Sequence, residues 1–194
     1  MEENVPVENR IPSEVPPWAR TLIRLIDRWS EQIGFIVMLT FIPMILGGVY
    51  EVVARYVFNA PTSWSTDVIF MANGTMFMLG SAYALMMGAH VRTDIFYDGF
   101  SDRTKGMIDL ISYAVLFLPV MVLIFYISFE GAVHAFQIQE RSNAGLWQPI
   151  IWPFRAVVPL TALLLFIQGV AELLKAFFAV KTGKLFAHHE KIEV

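Results

Sequence analysis

Charged side chains are missing from four long stretches of this chain. Ile33 to Tyr50 holds none, and its apolar character runs on to Ala54. Val68 to Val91 is uncharged when His90 is neutral, and Leu110 to Phe129 is a third clean run. The fourth, Ala156 to Ala171, is shorter, but Trp152-Pro153-Phe154 before it and Leu173 to Val180 after it extend the apolar face. A helix needs about 20 mostly apolar residues to cross ~30 Å of hydrocarbon. The pattern therefore predicts an all-α membrane protein with four transmembrane helices, over 33–55, 67–90, 108–131 and 155–179. Ahead of the first span the period changes. Leu22, Leu25, Ile26, Trp29 and Ile33 recur at helical spacing, with Arg20, Arg24 and Arg28 on another face. That spacing predicts an amphipathic helix over 18–32, lying in the headgroup plane with arginine toward anionic lipid. A cytoplasmic extension of the first span is the other reading. Residues 1–17, rich in acids and proline, are expected to be disordered, and 181–194 to form a flexible tail. The transmembrane domain is then 33–180.

Composition agrees with the pattern. Hydrophobic residues make up 56% of the chain and charged ones 16%, and the mean hydropathy is +0.57, outside the range of soluble domains. A net charge of −3 gives no case for binding nucleic acid. The absence of cysteine removes disulfides, thiol catalysis and cysteine-based metal sites. The N-terminal segment, with Glu2, Glu3, Glu8 and Glu14 and no apolar core ending in small residues, does not resemble a signal peptide. Orientation follows from the basic residues. The N-terminal segment, the middle loop and the C-terminal segment hold eleven of them, counting Lys175 with the tail. The other two loops hold only Arg55, Arg141 and Arg155. Both termini and the middle loop are thus expected in the cytoplasm.

An ionisable residue inside a membrane is a functional candidate by default, and the spans read as empty of them. Glu51, His90, Glu130 and His134 fall near span ends, and the deeper polar residues are neutral. Haem between paired histidines fails on depth: His90 and His134 sit at opposite ends of their helices, about a membrane thickness apart, and His188 and His189 are in the tail. Glu130 and His134, four residues apart, supply two metal ligands without a third. No cofactor, metal or catalytic residue is expected, and the chain does not read as an enzyme. Packing signals are better defined. Gly80, Ala84 and Gly88 repeat every four residues, a stripe that lets another helix approach closely. Pro43, Pro119 and Pro159 each fall inside a span and should bend it. Between the first two spans, the stretch EVVARYVFNAPTSWSTD (Glu51 to Asp67) places Glu51 and Arg55 one turn apart. Asn59-Ala60-Pro61 then turns the chain, Trp64 falls at headgroup depth and Asp67 near a helix N-terminus. It reads as a knot between two helices.

Those residues resemble the Arg-Tyr-x-Phe…Trp signature of the small membrane subunit, DctQ-type, of tripartite ATP-independent periplasmic (TRAP) transporters. Two further stretches agree: GSAYALMMGAHVRTDIF, with Gly88, His90, Val91, Arg92 and Asp94, and ERSNAGLWQPIIWPFRAVVPLTALLLFIQGVAE. The last resembles the longer small subunits of two-oxoacid and related carboxylate systems. Together the matches span about residues 34–178. The pattern departs where Ser65-Thr66 precede a single Asp67 and where Met86 and Met87 replace charged residues, so no ion pair is carried over there. The resemblance implies an inner-membrane, multi-pass scaffold for a large transport subunit, which holds the sodium and substrate sites, and for a periplasmic binding protein that captures an organic acid. It implies a partner surface including Arg55, Trp64, Asp67, Gly80, Ala84, Gly88, His90, Arg92, Asp94, Pro149, Trp152 and Pro153. Trp18, Arg20, Arg24, Arg28 and Trp29 would anchor the chain at the membrane surface. Two other classes stay open on the residues alone: a haem or quinone anchor of a respiratory complex, and a small autonomous exporter.

Overall fold

The computed structural model describes residues 15–87 and 100–183. Among these there are six α-helices: α1 (Pro17–Leu39), α2 (Phe41–Tyr56), α3 (Ser65–Met86), α4 (Asp102–Ile111), α5 (Leu118–Gln137) and α6 (Trp152–Thr182). A π-helical turn, Ser112–Phe117, joins α4 to α5. Four helical segments are long and apolar enough to cross a membrane: Pro17–Tyr56, Ser65–Met86, Asp102–Gln137 and Trp152–Thr182. They fall where the charge-free runs predicted them, but three run well past the expected bounds. At 1.5 Å per residue the 40 residues from Pro17 to Tyr56 extend about 60 Å, twice the hydrocarbon thickness.

Two of the three internal prolines disturb their helices, each in its own way. Pro43 offers no N–H to the carbonyl of Leu39, and the helix breaks at Thr40 between α1 and α2. There the Thr40 hydroxyl donates to the Val37 carbonyl at 2.6 Å, and its N–H donates to the same oxygen at 3.0 Å. Pro119 lies just beyond the π turn, where the Leu118 N–H reaches back five residues to the Tyr113 carbonyl. Around Pro159 α6 continues unbroken. Replacing Pro43 by Ala should restore the missing donor and join α1 to α2. Spin labels at exposed Trp29 and Val49 should then report a longer, narrower distance distribution. An unchanged distribution would assign the break to packing instead.

The ends are set by local chemistry. Ser101 caps α4, its hydroxyl accepting from the Thr104 N–H at 3.4 Å, with Asp102 in the first turn. Pro153 occupies the first turn of α6, where a missing N–H costs nothing. Gly183 closes α6 in the left-handed region at φ 72°.

The spans pack as a row. α2 lies on α3, α3 on α6, and α6 on α5, with no extensive contact from α2 to α5 or α6 among the described residues. α1 crosses α3 and α6 at one end of this row, and α4 runs beside α6 at that same end. There Val15 and Ala19 bury against Phe178 and Ala179, and the α4 backbone at Gly106 comes close to Ala179 and Val180. Three interfaces share one device, an aromatic ring seated on a glycine. Tyr83 covers Gly34, Phe154 covers Gly74, and Phe117 covers Gly169, each so closely that a Cβ there would meet the ring at 2.6–2.7 Å. In lipid, where apolar association gains little, such close contact is what holds helices together. Both edges of the row stay apolar and exposed. Leu46, Val49 and Tyr50 mark the α2 edge, and Leu123, Tyr126 and Ile127 the α5 edge.

Candidate functional site: two polar clusters at opposite ends

The end of the row that carries the two connections 57–64 and 138–151 holds the knot between Glu51 and Asp67. Arg55 donates to the Glu51 carboxylate from Nε at 2.9 Å and from Nη2 at 2.5 Å. The other Glu51 oxygen accepts the Thr62 N–H at 3.1 Å and the Thr62 hydroxyl. One carboxylate thus ties the last turn of α2 to the start of the next connection. Asn59 makes the turn at φ 52°, a conformation asparagine tolerates better than most residues. Trp64 stacks on Tyr50 at 5.9 Å.

Asp67, in the first turn of α3, is fully buried. Its cover is the α5–α6 connection. That segment folds back on itself through the Ser142 N–H to the Pro149 carbonyl and the Ile151 N–H to the Glu140 carbonyl, both 2.8 Å. Arg155 pairs with Glu140 at 2.5 Å across its base. The Ser142 hydroxyl donates to Asp67 Oδ1 and accepts from the Ala144 N–H at 3.1 Å, and Gly145 presses on Oδ2. Asp67 Oδ2 and the Ser65 hydroxyl have no hydrogen-bond partner among the described residues. The tip projects Leu146, 89% exposed, and Trp147.

A second cluster lies at the α1 end. Asp27 and Ser30 on α1 face Gln168, Glu172 and Lys175 on α6, and all five are buried. Lys175 Nζ lies 2.9 Å from Asp27 Oδ2 and 2.7 Å from Glu172 Oε1. Gln168 donates to Asp27 at 2.9 Å and accepts the Ser30 hydroxyl at 2.7 Å. Counted from Trp152 at 1.5 Å per residue, Gln168 lies about 24 Å and Glu172 about 30 Å along α6, at the far edge of the hydrocarbon.

This corrects two expectations. Lys175 does not belong to a tail; it is inside α6 and ion-paired. Nor are the membrane-crossing helices empty of ionisable residues, since α6 carries Glu172 and Lys175 and the Pro17–Tyr56 segment carries Asp27. The signal was available: Gln168, Glu172 and Lys175 at i, i+4 and i+7 share a face of α6, and Asp27 and Ser30 share one on α1. Ser142, Glu140, Gly145 and Thr62 were also missed, and for them no local pattern exists.

The predicted positions scatter. Arg55, Trp64, Asp67, Pro149, Trp152 and Pro153 gather at the loop end, where Trp152 meets Phe136 edge-on at 5.2 Å. Gly80 faces Val37 on α1, and Ala84 lies one turn further along α3. Gly88, His90, Arg92 and Asp94 lie outside the described residues, as do 1–14, His188 and His189. Trp18 and Trp29 are each 62% exposed on α1, and the Arg20 Nε donates to the Val15 carbonyl at 2.7 Å. Glu130 and His134 are exposed on α5, and among the described residues no three His, Asp or Glu could hold a metal.

Four apolar spans and a buried acid under the last connection can now be set beside known families. Residues 44–179 match the model for tripartite ATP-independent periplasmic transporters, DctQ component. The chain belongs to the DctQ family. The matched region begins within α2 and ends near the close of α6, so it holds every membrane-crossing helix at least in part. This DctQ component is accordingly a small, multi-pass inner-membrane subunit of a TRAP transporter. No curated protein and no solved structure matches the chain. Of the inner cluster, Gln168, Glu172 and Lys175 lie within the family region, whereas Asp27 and Ser30 precede it.

Proposed function

We propose that this DctQ component is the immobile scaffold of a sodium-driven, binding-protein-dependent uptake system for an organic acid. It packs beside a large multi-span subunit that carries the ion and substrate sites. The observation that carries the reading is the row: α2 and α5 leave apolar edges that a partner's helices can cover, while the buried charges at the α1 end are tied up in the pairs that join α1 to α6. A domain that moves through the membrane needs a fixed neighbour, and a flat row held by lipid on both faces resists tilting. Trp18, Arg20, Arg24, Arg28 and Trp29 on α1 anchor it at the cytoplasmic headgroups, where both termini lie. The clamped connection over Asp67 then faces the periplasm and offers Leu146 and Trp147 as docking surface for the binding protein.

The test is reconstitution. Vesicles holding the large subunit, binding protein and this chain should take up the organic acid in a sodium gradient. Leaving this chain out should lower the initial rate at least about tenfold, a barrier change of about 1.4 kcal/mol. Uptake at the full rate without it would overturn the scaffold role. Uptake by this chain alone would make it a carrier.

A further inference from the structure

The α5 edge of the row carries an acid below the headgroups. Leu123, Tyr126, Ile127 and Val133 are exposed there, and Glu130 stands among them, itself exposed. Ala135, the buried residue of α5, lies five positions on, about 140° around the helix. Glu130 therefore points away from the chain's own helices, and no ion pair holds it among the described residues. On the scaffold reading above, we propose that the large transport subunit covers this edge and that a lysine or arginine on one of its helices pairs with Glu130.

Depth excludes a lipid headgroup as the partner. Phe136 meets Trp152 edge-on at 5.2 Å, so the two share one level, and Trp152 opens α6 at headgroup depth. Six residues before Phe136, Glu130 lies about 9 Å inside that level. The charge-free run stops at Phe129, but the helix stays in hydrocarbon beyond it. Side chains lean toward the N-terminus of their helix, and α5 reaches the loop end from the other side of the membrane. Glu130 thus leans further in. Arg155 is on α6, which starts at the loop end, so it leans outward and meets Glu140 in the connection. An ion among acyl chains is costly, and such residues face protein or a water-filled cavity. Charge then selects the partner. A cation on a facing helix matches the carboxylate. A second copy of this chain, seated on the same edge by a twofold axis along the membrane normal, would set Glu130 against Glu130. The α2 edge makes no such demand, because Glu51 is already paired with Arg55.

The assembled transporter supplies the test. A photo-crosslinking residue in place of Ile127 should capture the large subunit. Capture of lipid alone, or of a second copy of this chain, overturns the docking face. Glu130→Gln should speed dissociation of the large subunit in mild detergent at least about tenfold, while Glu31→Gln on the exposed side of α1 leaves it unchanged. Because Glu130 faces away from its own chain, the isolated Glu130→Gln variant should keep the wild-type thermal unfolding. A lowered transition would give Glu130 an internal role and overturn the proposal. Glu130→Lys should also weaken the complex, and changing one lysine or arginine of the crosslinked helix to glutamate should restore it. Wild-type dissociation in Glu130→Gln, or the lack of any restoring change, overturns the pairing. If the large subunit crosslinks from Leu46 on the α2 edge and not from Ile127, the docking face is wrong while the scaffold reading stands. If uptake proceeds at the full rate without this chain, the scaffold reading fails whatever the crosslink shows.

Discussion

Replacing Lys175 by Met should destabilise the chain by about 3–5 kcal/mol, the usual cost of stranding a buried charge. The Lys175 side chain is 11% exposed, and Asp27 and Glu172 are 9% and 2% exposed. Without the ammonium, two carboxylates would face each other at the edge of the hydrocarbon, with the Gln168 amide donating to both. Thermal unfolding in mild detergent, followed by the fluorescence of Trp18 and Trp29 on the same helix as Asp27, reads the effect where it arises. The triple change Asp27→Leu, Glu172→Leu and Lys175→Met should recover most of the loss, because a buried ion pair adds little net stability over apolar packing of similar volume. What the cluster supplies is register: it admits one seating of α1 against α6. If Lys175→Met alone costs less than about 1 kcal/mol, the cluster is wet and the pairing does not hold α1 in place.

That cluster also marks the border between what can and cannot be read from residues in order. The four spans are legible because lipid demands a charge-free run, and the disturbances near Thr40 and before Pro119 follow from a missing N–H at Pro43 and Pro119. The Glu51–Arg55 pair is legible too, its partners lying one helical turn apart. Asp27 and Lys175 are 148 residues apart, and Asp67 and Ser142 are 75. Nothing local announces such a meeting. The expectation of empty spans failed because the fourth charge-free run ends at Ala171, one residue short of Glu172, and Lys175 was counted with the tail although Leu173 to Val180 continue the apolar face. The row itself was not legible for a different reason. α3 is apolar on every side, as helices in lipid are, so no hydrophobic face points at a neighbour. Only the glycines under Tyr83, Phe154 and Phe117 record which helices touch, and a glycine does not name its partner. Of the candidate partner surface, Arg55, Trp64, Asp67 and Trp152 lie at the loop end. Gly80 turned inward to α1, since a small residue is as useful inside the chain as outside it.

At the loop end, the second large effect should appear as a coupling. Gly145→Ala places a methyl group against the Asp67 carboxylate and should cost about 1–3 kcal/mol through overpacking. Asp67→Ala removes the acceptor of the buried Ser142 hydroxyl and should also cost about 1–3 kcal/mol. Each change alone should speed protease cleavage within residues 143–148, because each frees the connection from α3. In the double variant the new methyl group enters the space the carboxylate leaves, so the combined loss should fall short of the sum by at least about 0.5 kcal/mol. Strict additivity would show that Gly145 is not held against Asp67. The same pair separates structure from docking. If the binding protein rests on Leu146 and Trp147, its affinity for the assembled transporter should weaken in both single variants and partly return in the double one, following the tip rather than the charge. A loss of affinity that tracks removal of the Asp67 carboxylate alone would instead place that acid in direct contact with the partner, against its full burial beneath the connection.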